Sequence, residues 1–178
     1  MPREKKVRDL MIPVAEYATV SAEATVAEAV AVLRSSLCGP AGEYHGHRSV
    51  LVLDEAGRPL GLLTLRDLLR AIEPRYLAPE RFRLPMDWNG RVPEIFPEGM
   101  FTERVLAEAR KKVREILPAR ELLTVEADDP LMKAAHLMLR HNVGTIPVLE
   151  EGRVVGMIRI NEVFLAIADA VITAPKGG

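Results

Sequence analysis

Aromatic side chains make up only 4% of the 178 residues, and there is one cysteine, Cys38. With so few rings, a core has to be built from Leu, Val, Ile, Ala and Met. A single thiol excludes an intrachain disulfide and any all-cysteine metal site, as expected for a reducing compartment. No run approaches the ~20 apolar residues of a membrane span, and the start, MPREKKVRDLM, has no apolar segment of signal-peptide length. Charge of one sign is not in surplus either, with a net charge of −1 and a pI near 6.4. Arg3, Lys5, Lys6 and Arg8 form one short basic cluster and Arg110, Lys111, Lys112 and Arg114 another, both read as solvated surface. Neither is the sustained tract of a nucleic-acid footprint. These absences predict a cytoplasmic protein without nucleic-acid or membrane partners.

Catalytic signatures are missing as well. There is no Gly-rich phosphate loop with a Lys, Ser35, Ser36 and Ser49 lie in no nucleophile elbow, and Cys38 has no His and acid at a recognisable spacing. The chain is therefore not expected to be an enzyme. His45 and His47, with Glu43 and Cys38, could approach a zinc ion, but no further ligands recur at fixed spacing, and the set reads as a polar loop. No metal is expected. His136 and His141 read as helix-surface or cap residues.

What is present is a globular composition, 48% hydrophobic and 28% charged. The central pattern is VLDEAGRPLGLLTLRDLL, Val52 to Leu69: two apolar runs joined by a turn at Asp54 to Gly57, then a helix start at Thr64. Thr64 stands where an N-cap belongs, and Asp67 can reach back to the cap's backbone N–H. Free N–H groups at such an end also favour anions. Capping and ligand binding are both open on this local pattern. Upstream, Thr25 with Glu28 makes a second capping box, and Val26, Ala29, Val30 and Leu33 are spaced for one apolar helix face.

The second half of the chain repeats the first. VREILP (Val113 to Pro118) echoes VRDLMIP (Val7 to Pro13), and LLTVEADDPLMKAAHLML echoes the run from Ala18 through Leu33. TIPVLEEGRVVGMIRINEVFLAI (Thr145 to Ile167) parallels SVLVLDEAGRPLGLLTLRDLLRAI. Asp129 with Pro130 at the first helical position marks a helix that stops near Asn142 and Gly144. The offset from Thr19 to Thr124 is 105 residues and from Gly61 to Gly156 is 95, so the first copy carries about ten extra residues. An internal repeat of this length predicts two βαββα units about a pseudo-twofold axis. The boundaries expected are 1–72 for the first unit, with an inserted loop at 38–48; 73–112 for a linker with a helix from about 102; 113–170 for the second unit; and 171–178 for a flexible tail. In the linker, Thr102 to Leu117 reads as one helix with a stripe of Val105, Leu106, Ala109, Val113, Ile116 and Leu117 and a Glu108–Lys112 pair.

With GTIPVLEEG (Gly144 to Gly152) before Gly156-Met-Ile, and Leu53 to Gly57 before GLLTLRD (Gly61 to Asp67), both in order, the chain resembles the CBS-domain family, two tandem domains forming a Bateman module. The resemblance implies an α+β fold and a stand-alone, homodimeric regulatory pair. It implies an adenosine-containing ligand (AMP, ADP or ATP, with S-adenosylmethionine possible) in clefts between the repeats, no required cofactor, and a regulated protein partner. Carried over residue by residue, Thr64 meets phosphate and Asp67 accepts both ribose hydroxyls, while Thr19, Val20, Ser49, Val50 and Leu51 line the base. The second copy offers Thr124, Val125, Thr145, Ile146 and Pro147 as a base wall, but Arg159 and Glu162 stand where Thr64 and Asp67 stand in the first, so that site is expected to be empty or altered. Leu51 replaces the usual proline, present as Pro147. Because the second copy enters its helix without a Thr and Asp pair, the repeat favours a ligand as the reason for that pair. The alternative is a ligand-free dimerisation scaffold that docks a partner through the linker or helical faces.

Overall fold

The computed structural model describes residues 4–38, 48–75 and 97–173. The zinc reading of His45, His47 and Glu43, most of the proline-rich linker, and the end of the tail lie outside the described residues. The chain divides into two compact units, one made of Thr19–Ala119 and the other of Met1–Ala18 with Arg120–Gly178.

The Thr19–Ala119 unit contains β2 (Thr19–Ser21), α1 (Val26–Leu37), β3 (Ser49–Leu53), β4 (Pro59–Thr64), α2 (Leu65–Ile72), α3 (Met100–Ala109) and α4 (Val113–Ile116). Its sheet has the order β2-β3-β4, with β2 parallel to β3 and β3 antiparallel to β4. The α1 capping box forms as read, Thr25 N donating to Glu28 Oε2 at 2.7 Å and Glu28 N to Thr25 Oγ1 at 3.2 Å. Val26, Ala29 and Leu33 are buried beneath α1, whereas Val30, placed on the same face by its spacing, is exposed. β3 is sealed on both faces, with Val50, Leu51 and Val52 fully buried. Each such side chain contributes ~1.5–3 kcal/mol relative to exposure. At the hairpin turn Asp54 Oδ1 accepts from Ala56 N at 2.9 Å and Arg58 N at 2.8 Å, and Gly57 takes φ 75°, which favours a residue without Cβ.

The other unit carries β1 (Ile12–Pro13), β5 (Val125–Glu126), α5 (Leu131–His141), β6 (Thr145–Glu150), β7 (Arg153–Arg159) and α6 (Ile160–Thr173). The sheet order is β1-β7-β6-β5. Glu151 and Gly152, at φ 50° and 75°, make the two-residue β6–β7 turn. Its core joins Val7, Val125, Ala134, Met138, Ile146, Val148, Ile158 and Val163. Both units therefore hold the expected βαββα succession. The two long hairpins even share a register irregularity, after Val52 in one and after Val148 in the other.

The short arms leading into the two repeats are exchanged. Val7 N and Arg8 N donate to Asp129 O and Ala127 O, before α5, at 3.0 and 2.9 Å. Val113 N and Arg114 N donate to Ala24 O and Ala22 O, before α1, at 2.8 and 3.1 Å. This exchange breaks the single helix expected over Thr102 to Leu117. Lys112 adopts an extended backbone and bridges to Thr25, so α3 ends at Ala109 and α4 starts anew at Val113. Four smaller expectations are also corrected. The expected stripe residue Leu106 is exposed, while Glu108 is buried at 5% exposure, its carboxylate 2.8 Å from Lys111 Nζ and 3.7 Å from Arg104 Nη2. Lys112 pairs with Glu23 rather than Glu108. Pro130 is the N-cap of α5, one residue before the helix, and α6 continues to Thr173, into the stretch expected to be a tail.

The basic arm is bound to its unit by charge. Asp128 takes Lys6 Nζ and Arg8 Nη2, each at 2.8 Å, and Arg8 Nη2 also reaches Glu150 Oε1 at 2.9 Å. These bonds, Lys6 first and Arg8 next, hold the Asp128 carboxyl below its ordinary 3.8. A carboxyl with a depressed folded pKa contributes stability above its unfolded value and loses it as pH falls through the folded one. The wild type is therefore expected to exceed Asp128→Asn in stability at pH 7, with the difference fading as pH falls through 3.8 and below. Because the pair is exposed, salt should shrink the difference at neutral pH. Urea melts of both proteins across pH and ionic strength check this.

Candidate functional site

At the junction of β4 and α2 the chain passes from a strand that buries Leu63 to a helix that has to satisfy its first N–H groups. Thr64, extended at φ −104° and ψ 164°, does so, its Oγ1 accepting from Asp67 N at 3.2 Å. Asp67 Oδ2 in return accepts from Thr64 N at 2.9 Å and from Thr64 Oγ1 at 2.6 Å. The capping reading of this pair is thus realised in full. Oδ1 faces Arg70 Nη1 at 3.5 Å, long for a charge-assisted hydrogen bond.

Asp67 is only 2% exposed, yet it stands on the wall of a cavity of about 360 Å³. α2 contributes Arg70 and Ala71 to that wall, α3 contributes Arg104 and Glu108, and Lys111 and Glu115 come from around α4. Arg104 joins two of these helices, donating to the carbonyls of Ile72 at 3.1 Å and of Ala71 and Glu73 at 3.3 Å, the unpaired end of α2. Glu108 is paired within its own segment, by Lys111 three residues on and Arg104 four residues back, and a buried carboxylate is tolerated where it is paired in this way.

The base-wall residues of the first copy come together around the same strand ends. Ser49 is the register partner of Thr64, and Thr19 that of Leu51. Ser49, Val50, Leu51 and Val20 are buried and Thr19 is exposed. A larger cavity, about 510 Å³, lies at the β3–β4 turn and holds none of these residues. Two of its carboxylates are already engaged, Glu23 by Lys112 and Arg114 and Asp54 by Arg58, and both are held below the ordinary carboxyl range by these bonds.

In the other unit the equivalent junction is closed by the protein itself. Arg159 Nε donates to Glu162 Oε2 at 2.9 Å and Nη2 to Oε1, a bidentate pair, while Arg159 N also donates to Oε2 at 3.1 Å. Both side chains are 13% exposed, and the pairing, with Tyr17 nearby, raises the Arg159 pKa. Among the described residues Arg159 Nη1 is buried without an acceptor. Ile146 and Pro147 are buried, Val125 likewise, and Thr124 and Thr145 half-buried. Among the described residues no group of His, Cys, Asp and Glu could hold a metal ion, and no helix is long and apolar enough to cross a membrane.

The family model for the CBS domain matches residues 7–74 and again 113–169. The chain belongs to the CBS-domain family. Solved CBS structures agree in fold over nearly the whole length. A CBS-domain containing protein from Agrobacterium tumefaciens is 19% identical, with 94% of this chain and 96% of that one covered at a TM-score of 0.63. CBSX2 in complex with AMP is 18% identical, covering 93% and 98% at 0.62. The CBS domain pair of MJ0100, in complex with methylthioadenosine and S-adenosyl-L-methionine, is 19% identical, covering 93% and 98% at 0.61. Among curated proteins none matches the chain. Tandem CBS domains, an α+β fold, are what the repeat and its capped junction build.

Proposed function

We propose that this CBS pair is a non-catalytic regulatory module whose Thr19–Ala119 unit binds an adenine nucleotide or a related adenosyl ligand through Thr64 and Asp67, acts as a homodimer, and passes binding on to a partner protein. One observation carries the reading: Asp67 is a carboxylate buried to 2% exposure that stands on the wall of a cavity at a helix start capped by Thr64. An ionised carboxylate accepts two charge-assisted bonds from a cis-diol, which suits a ribose. The adenosyl ligands of CBSX2 and of MJ0100 support the same class. The Arg159–Glu162 pair leaves a spare donor, Nη1, which suits a phosphate oxygen and not a diol, so the second unit does not take the ligand in the same way.

A thermal-shift screen of AMP, ADP, ATP, S-adenosylmethionine and NAD tests the proposal. A ligand at ~100 times its dissociation constant stabilises the fold by about 2.7 kcal/mol, and at least one adenosyl compound should do so. If none moves the melting point, the ligand reading falls and the scaffold reading replaces it.

A further inference from the structure

Part of the cavity wall beside Asp67 belongs to neither CBS segment. Arg75, Arg104, Glu108 and Lys111 line the cavity, and all of them fall between residues 74 and 113, where one segment stops and the other starts. Together with Arg70 of α2 they bring four cations to the wall. Four carboxylates line it too, but three of these are engaged by the fold. Asp67 closes the Thr64 capping box, Glu108 meets Lys111 Nζ at 2.8 Å, and Glu115 Oε2 accepts from Lys112 N at 2.7 Å.

The donors are less committed. Arg104 directs Nε and Nη2 to the carbonyls that end α2, which fixes the plane of its guanidinium and leaves Nη1 over. Lys111 gives one of its three N–H groups to Glu108. Arg70 reaches Asp67 only at 3.5 Å, and among the described residues Arg75 has no ion pair. The wall therefore offers more N–H groups than it consumes, and guanidinium and ammonium donors turned to a concavity suit phosphate oxygens.

We infer that Arg70, Arg75, Arg104 and Lys111 read the phosphoryl chain of the ligand, so that the linker makes the site select a nucleoside di- or triphosphate over a monophosphate. The inference rests on the adenine-nucleotide reading above and names the charge class of the ligand. Asp67 holds the ribose at one point of this wall, and phosphates beyond the first meet cations that the capped helix start does not itself supply. The zwitterionic tail of S-adenosylmethionine fits less well, because among the described residues Glu73 is the one carboxylate of the wall left for its ammonium.

Calorimetric titration of adenosine, AMP, ADP, ATP and S-adenosylmethionine at two ionic strengths tests this. The wild type is expected to bind ATP at least about tenfold more tightly than AMP, the worth of one charge-assisted hydrogen bond. Added salt should narrow that gap. Arg75→Ala should weaken ATP binding about tenfold and the Arg70→Ala, Arg75→Ala double variant about 100-fold, while adenosine binding changes by less than about threefold. Neither side chain makes a hydrogen bond shorter than 3.5 Å, so both variants should melt with the wild type. Arg66→Ala removes the same charge from α2 away from the cavity and should leave ATP affinity unchanged. Equal affinities for AMP and ATP, an ATP preference that survives the double substitution, tighter binding of S-adenosylmethionine than of ATP, or a loss in Arg66→Ala as large as in Arg75→Ala would each overturn the inference and leave the adenosyl reading standing. If no compound binds, adenosine included, both fall.

Discussion

Asp67→Ala is expected to weaken adenine-nucleotide binding about 100-fold or more while the protein remains folded. The substitution removes the acceptor proposed for both ribose hydroxyls. Hydrogen bonds to a charged group contribute roughly 1.5–3 kcal/mol each, and about 1.4 kcal/mol is tenfold in affinity. The cost to folding is smaller. Asp67 Oδ2 no longer receives Thr64 N, at 2.9 Å in the wild type, and an unsatisfied N–H with a lost cap costs about 1–3 kcal/mol. The Arg70 contact at 3.5 Å adds little, because that guanidinium is more than half exposed. Asp67→Asn, which keeps the shape and loses the charge, should fall between the two. Glu162→Ala, at the equivalent place, should leave the affinity unchanged. Calorimetric titration measures all four proteins, and an Asp67→Ala protein that binds like the wild type would remove Thr64 and Asp67 from the site.

The second large effect concerns the fold. Gly156→Ala is expected to destabilise the protein by about 1–3 kcal/mol, and Gly61→Ala, at the equivalent position, by under about 1 kcal/mol. A Cβ on Gly156 would lie 2.7 Å from the carbonyl oxygen of Ile12 and 2.8 Å from Met11 Sδ. That carbonyl belongs to β1, which pairs with β7 through Ile12–Met157 and Pro13–Gly156, so it cannot withdraw without opening the edge of the sheet. A Cβ on Gly61 would meet only Leu117, its methyl carbons at 3.2 Å, and a side-chain end can swing aside. Urea melts separate the two variants. Equal losses would show that β1 does not set the tolerance at these glycines.

The difference at the two glycines has a source in the sequence that becomes readable only once the arms are placed. Aligned on Val7 and Val113, Met11 corresponds to Leu117 and Ile12 to Pro118. Met11 packs on Gly156 and Leu117 on Gly61, so the contact is repeated. Pro118, however, has no N–H to donate where Ile12 has one, which accounts for a fourth strand in one sheet and three strands in the other. The Thr64 and Asp67 box was legible because capping is a local arrangement spanning four residues. The burial of Glu108 was not: its cations, Arg104 and Lys111, are near neighbours, but the end of α2 that Arg104 bonds lies more than thirty residues back in the chain. Val30 and Leu106 fit their apolar spacing and are nonetheless exposed, because periodicity selects a helix face and not what covers it.

The sequence by itself determined the two βαββα repeats, the hairpins, the capped entry into α2 and the departure at Arg159 and Glu162, all of which depend on contacts between near neighbours along the chain. Only the tertiary structure decided that the arms are exchanged, that Asp67 lines a cavity while Glu162 is closed by Arg159, and that one side of α6 is left uncovered. The two arms carry nearly the same motif, VRDLMIP and VREILP, so local pattern makes them interchangeable. Which strand ends and helix starts they satisfy depends on backbone hydrogen bonds between residues about ninety to one hundred and twenty apart in the chain, such as Val7 to Asp129 and Val113 to Ala24, and these form only when the whole chain has packed.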